Sequence, residues 1–153
     1  CRKLGKCFIE DAVNEFTALA KEADGFIFGS PVHYASAGGA ITSFMDRAFY
    51  SGGVALRYKP AAAVASCRRA GGTATLDMLN KYFTISCMPV VSSSYWNEIH
   101  GNTAEEASKD AEGLQTMRTL GHNMAWLLKC IEAGRGAGIE PTKEKKVYTN
   151  FIR

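Results

Sequence analysis

Three stretches of the 153-residue chain carry residue types able to hold a reactive ligand. The first is Ser30-Pro31-Val32-His33-Tyr34-Ala35-Ser36-Ala37-Gly38. Its backbone N–H and C=O groups could bond the polar rim of a flat cofactor, and Gly38 and Gly39 would let the backbone come close. Tyr34 or His33 could pack on a ring. The second is Cys67-Arg68-Arg69-Ala70-Gly71-Gly72-Thr73, two positive charges beside two glycines, with Thr73 placed to cap a helix. The third is Tyr95-Trp96-Asn97, followed by His100 and Gly101. Trp96 could cover a planar ligand or sit in an interface. Each stretch also has a plain reading: a turn with Pro31 as punctuation, a basic turn facing solvent, and a core or interface tryptophan.

No metal motif, phosphate P-loop or Gly-x-Ser-x-Gly elbow is present. Cys67 could lie beside a ligand, whereas Cys87 and Cys130 read as small buried hydrophobes. Asp46 and Arg47 lie on one predicted helix and suit structural ion pairing.

The elements that must position these stretches follow from periodicity. Helices are predicted over 11–22, 38–50, 73–83 and from 104 or 111 to 133. In the last, Leu114, Met117, Gly121, Met124, Leu128 and Ile131 form one apolar stripe. Strands are predicted over 26–29, buried on both faces, over 61–66, and over 89–94. The alternation of strand and helix implies a parallel sheet with right-handed crossovers. All three candidate stretches then follow strand ends at one sheet edge, where α/β proteins bind ligands. Flavodoxin-like, Rossmann-like and receiver-like folds all satisfy this order.

A chain of this length is one domain's worth, with residues 1–139 as its body and 140–153 as a polar tail. An apolar fraction of 46% is that of a globular core. The net charge of +3 is scattered, so nucleic acid is not an expected partner, and no apolar run suits a membrane span. Five cysteines, an odd number, point to free thiols and a reducing, cytoplasmic setting. The sequence starts at Cys1 rather than Met, so upstream residues are expected.

Ser-Pro-Val-His-Tyr, then Gly-Gly, then Met-Asp-Arg, together with Arg-Arg-Ala-Gly-Gly-Thr, resemble the NAD(P)H-dependent FMN reductases. The resemblance implies a flavodoxin-like three-layer α/β/α sandwich with strand order 2-1-3-4-5. The three predicted strands would be its third, fourth and fifth. The first strands and the FMN phosphate loop have no counterpart in 1–22 and are expected upstream. FMN would contact Ser30, Pro31, Val32, His33, Tyr34, Ser36, Ala37 and Gly38. It would also contact Cys67, Arg68, Arg69, Gly71, Gly72, Thr73 and Trp96. An arginine beside the flavin pyrimidine would favour the reduced anion, or one could grip the 2′-phosphate of NADPH.

The resemblance further implies NADPH or NADH as co-substrate and a small-molecule electron acceptor: flavin, quinone, azo or nitro compound, or iron. No side chain need act as acid or base, because the flavin carries the chemistry. A homodimer or homotetramer is implied, with Trp96, the last helix and the C-terminal segment Tyr148–Arg153 as contact surfaces. Cys1 and Cys7, separated by five residues, resemble part of the cysteine cluster of related iron–sulfur flavoproteins. Two cysteines cannot hold a [4Fe–4S] cluster, so on their own they read as incidental thiols. Two other readings stay open: a flavodoxin-type electron carrier, disfavoured by the positive charge, and a flavin-free scaffold.

Overall fold

In the computed structural model, which describes residues 1, 3–149 and 151, Asp11 opens the first helix. Its carboxylate accepts the Val13 N–H at 3.1 Å, and α1 spans Ala12–Leu19. Arg47 of the next helix, α2 (Gly39–Gly52), donates to the same carboxylate at 2.6 and 2.8 Å. That guanidinium holds Asp11 below the usual carboxylate range.

β1 (Phe26–His33) pairs in parallel with β3 (Ala61–Cys67), in register from Phe26↔Ala61 to Pro31↔Ser66. β1 then turns back on β2 (Ser36–Ala37), its partner at Val32 and His33. α3 (Gly72–Ile85) follows β3. β4 (Glu98–His100) pairs in parallel on the other side of β3. A short α4 (Ala104–Ala107) and the long α5 (Ala111–Gly136) complete the fold.

The helices lie on both sides of the sheet. Phe26, Phe28, Ala61, Ala63 and Ala65 meet Phe16, Met45, Phe49, Leu79 and Phe83 of α1, α2 and α3. On the opposite face Ala62, Val64 and Val91 meet Leu120 and Met124 of α5. This is the α/β/α arrangement expected from the sequence, with β1, β3 and β4 parallel and adjacent. Among the described residues, no helix is long and apolar enough to cross a membrane.

Several local expectations need correction. The strand expected over 89–94 pairs only at Val90, opposite Ala61. Ser93 then bonds Tyr95 and Asn97, and Asn123 of α5 holds the Ser92 carbonyl. The serine run thus satisfies its polar groups locally and leaves the ladder until Glu98. β1 is buried on one face only, since Ile27, Gly29 and Pro31 are exposed. The residues of α5 that are buried are Gly113, Thr116, Leu120 and Met124. Leu114, Met117, Leu128 and Ile131 are half-buried and Gly121 is exposed. The bare Gly113 brings α5 close to β4, since a Cβ there would lie 3.0 Å from Ile99 Cγ1.

Cys87 and Cys130 are exposed, the first in the turn after α3 and the second on the outer side of α5. In the tail, Val147, Tyr148 and Phe151 are exposed. Asn150, Ile152 and Arg153 of the C-terminal segment lie outside the described residues.

The α1–α2 contact has no slack at Gly52, where a Cβ would fall 2.3 Å from Thr17 Cγ2 and 2.7 Å from Thr17 Cβ. Thr17 cannot swing aside freely, because it is β-branched and its hydroxyl donates to the Asn14 carbonyl at 3.0 Å. Gly52→Ala is therefore expected to destabilise the fold by about 1–3 kcal/mol. A urea denaturation midpoint equal to that of the parent would show that this contact yields.

Candidate functional site

The parallel register fixes where the first two candidate stretches emerge. Pro31 lies opposite Ser66, and Cys67 lies opposite His100, so the chain leaves β1, β3 and β4 at one edge. The stretch after β1 is a tight hairpin rather than an open loop. Tyr34 and Ala35 at its tip have φ of 49° and 58°. Positive φ at both central residues is what a two-residue hairpin turn demands. The Asn-Gly or Gly-Gly pair that usually signals it is missing here, and that hid the hairpin in the sequence.

The hairpin leans on the loop after β3. Gly71 has φ 94°, and a Cβ there would lie 2.7 Å from Ala35 Cα and 2.8 Å from Val32 Cγ1. Only glycine meets both conditions. Beneath, Ser30 is buried. Its hydroxyl accepts the Gly38 N–H at 2.9 Å and donates to the Pro31 carbonyl at 2.8 Å. Ser36 on β2 donates to Met78 Sδ of α3 at 3.4 Å, tying the hairpin to that helix. Ala37 and Gly38 are buried, whereas His33 and Tyr34 are exposed.

A concavity of ≈ 470 Å³ opens beside the hairpin. Gly29, Ser30, Pro31, His33, Gly38 and Ile41 line it, with Phe44 behind. The volume falls within the usual range for small-molecule sites. Gly29, Ile41 and Phe44 were not anticipated as part of it. The exposed face of β1 brings in Gly29, and a strand buried on both faces could not have offered it.

The side chains of Arg68 and Arg69 project into solvent and, among the described residues, have no hydrogen-bond or ion-pair partner. Gly72 is the first residue of α3, and the cap is Gly71, so Thr73 is exposed and caps nothing. The Cys67 sulfur is buried and bonded by the backbone of Arg69 and Gly72. Burial, and then the Glu98 carboxylate, push this thiol up from its ordinary pKa. Tyr95 and Trp96 are exposed with ring centroids 5.6 Å apart. They stand on the loop between the Val90 bridge and Glu98, entering β4 rather than following a strand end as the sequence predicts, because the third strand pairs in earnest only at Glu98–His100.

Far from this edge, Cys7 is buried, and its sulfur accepts from Arg47 Nη2 at 3.5 Å. That bond lowers the Cys7 pKa. Cys1 packs against the same small cluster.

A match to the family described as NADPH-dependent FMN reductase spans residues 1–103. The chain belongs to that family. An iron–sulfur flavoprotein of Methanocaldococcus jannaschii is 34% identical over 140 residues, covering 86% of this chain and 72% of its own. Solved structures share the fold at lower identity. An archaeal flavodoxin superposes with a TM-score of 0.54 at 20% identity, covering 74% of this chain and 71% of that one. The Flv1 flavodiiron core of Synechocystis gives 0.59 at 17%, over 80% of this chain and 27% of that one. An NADPH-quinone reductase of P. pentosaceus gives 0.53 at 16%, over 76% and 74%.

This FMN reductase family member is an FMN-dependent oxidoreductase, with FMN as cofactor. Its own residues fit the ring of FMN. The concavity is of suitable size, its floor of Gly29 and Gly38 has no side chains, and two unpaired arginines stand on the adjoining loop.

The fit depends on the hairpin staying docked. Gly71→Ala is expected to lift Val32 and Ala35 off the β3 loop, lower stability by about 1–3 kcal/mol and reduce FMN retention. Chemical denaturation and FMN fluorescence quenching check the two effects. Unchanged values in both would mean that the contact is not used.

Proposed function

We propose that the chain passes hydride equivalents from NADPH or NADH to FMN and on to a small acceptor such as a quinone, a free flavin or a nitro compound. The hairpin docked on Gly71, with the adjoining concavity, carries this reading. Residues 30–38 wall one side of the flavin, and Arg68 to Thr73 approach from the other. Bound FMN supplies a two-electron centre that a nicotinamide reduces and a second substrate re-oxidises.

The side chains act by placement and charge. Ser30 stiffens the turn through its bond to the Gly38 N–H, so the wall is formed before ligand arrives. Arg68 and Arg69 offer positive charge where a reduced ring gains negative charge, or where a nucleotide phosphate docks. His33 and Tyr34 are free to lie over the ring. Trp96, on the loop that enters β4, covers a site in the same subunit or in a neighbour. A homodimer or homotetramer suits the exposed Trp96 and Trp126.

The test is a visible spectrum of the purified protein after FMN addition and removal of excess, followed by NADPH and menadione. Retained flavin bands that bleach with NADPH and recover with the quinone are expected. Bands that NADPH leaves unchanged would point instead to an electron carrier, and no retained flavin to a scaffold. Arg69→Ala is expected to weaken FMN binding about tenfold, the loss of one charge-assisted contact. An unchanged dissociation constant and reduction potential would remove Arg69 from the ring site.

A further inference from the structure

In a parallel pair, residues in register share a face, and so do alternate residues of one strand. β3 and β4 align Ala65 with Glu98 and Cys67 with His100. Cys67, Glu98 and His100 therefore point the same way, toward the side of the sheet that α3 covers. Their sulfur, carboxylate oxygen and imidazole nitrogen all lie within 4.8 Å of one another.

Each donor is held by something other than its two companions. The Cys67 sulfur is fixed by the backbone of Arg69 and Gly72. The Glu98 carboxylate fills the space that Gly72 leaves, since a Cβ there would fall 1.5 Å from Oε2. Among the described residues, that half-buried carboxylate has no hydrogen-bond donor and no basic partner. The third donor, His100, has Nδ1 3.7 Å from Asp110 Oδ2, which leaves Nε2 to bind. Asp110 is itself anchored, accepting the His100 N–H at 2.7 Å and the Gly113 N–H at 2.9 Å. A carboxylate behind a histidine is the usual outer support of a metal ligand.

We propose that Cys67, Glu98 and His100 bind a zinc ion, with a water at the fourth position on the exposed His100 side. The donor types choose the metal. Calcium and magnesium take oxygen donors, whereas a thiolate, an imidazole and a carboxylate together suit borderline-soft zinc. The dication also answers a local imbalance. A thiol and an unpaired carboxylate are packed together, and the nearby arginines point away to solvent. Binding releases one proton from the Cys67 thiol to solvent. The site goes beyond the flavin reading and does not rest on it, because its test uses no flavin.

Cobalt(II) serves as the visible probe, added to the full chain under reducing conditions. One equivalent is expected to give a thiolate-to-cobalt charge-transfer band and tetrahedral ligand-field bands, all removed by added zinc. Cys67→Ser should abolish the charge-transfer band, whereas Cys7→Ser and Cys130→Ser should keep it. Glu98→Gln and His100→Gln each leave two of the three donors and should weaken cobalt binding by at least about tenfold. Asp110→Asn should weaken it by about 10–100-fold while the band positions persist, as expected of a positioning residue. Absence of the band in the parent chain, or its survival in Cys67→Ser, overturns the proposal. Should Cys67→Ser fail to fold, parent-like cobalt affinity in both Glu98→Gln and His100→Gln overturns it equally.

Discussion

The structure hangs on a strand with almost no side chains. Ala61, Ala62, Ala63 and Ala65 of β3 are all nearly inaccessible to solvent, and helices press on them from both sides. Bulk comes from elsewhere. Phe26 and Phe28 of β1 stand beside Phe16, Phe49 and Phe83 on one face, while Leu120 and Met124 fill the other. A one-residue slip between β1 and β3 would turn Phe26 and Phe28 away from the aromatic cluster and bring Ile27 into it. The burial energy of those rings therefore fixes the register, at roughly 1.5–3 kcal/mol for each large side chain removed from water. The register in turn sets the level at which the chain leaves β1 and β3. The meeting of the hairpin with Gly71 follows from that level, so core packing far below the edge builds the candidate site.

What the sequence made legible was what depends on local periodicity. Leu76, Leu79 and Phe83 point inward as their spacing requires, Asp11 caps its helix, and the alanine strand lies between two helical layers. What was not legible depends on competition between partners. Val90 and Val91 have strand character, but Ser92 and Ser93 find side-chain and loop partners that compete with the ladder. Pairing resumes only at Glu98, so β4 and its carboxylate lie beyond the apolar run that marks a strand in the sequence. Between its pairings at Val90 and Glu98 the chain spends eight residues where β3 spends four. That surplus is the loop on which Tyr95 and Trp96 stand.

The hairpin was hidden for a different reason. Pro31 normally interrupts a strand, because it cannot donate to a ladder. Here it is in register with Ser66 of β3 while its nitrogen faces the β2 side, where among the described residues β1 pairs only at Val32 and His33. The missing N–H faces away from β3, so the β1–β3 ladder loses no bond. The same open side exposes Gly29 and makes the concavity possible. A proline that reads as loop punctuation is thus part of a strand because its nitrogen lies outside the β1–β3 ladder.

The two adjacent glycines of the β3 loop answer two separate demands. Gly71 has a positive φ, and its bare Cα receives Ala35 and Val32. Gly72 has ordinary helical geometry and is needed for space alone, which the Glu98 carboxylate takes. One glycine therefore serves the hairpin side of the edge and the other the β4 side. They also divide the charge. Arg68 and Arg69 stay outside, facing water, while Cys67 and Glu98 are recessed beneath the start of α3. A positive rim thus stands beside a donor-rich recess without an ion pair between them among the described residues. The rim can then meet an anionic ligand while the recess keeps its carboxylate unpaired.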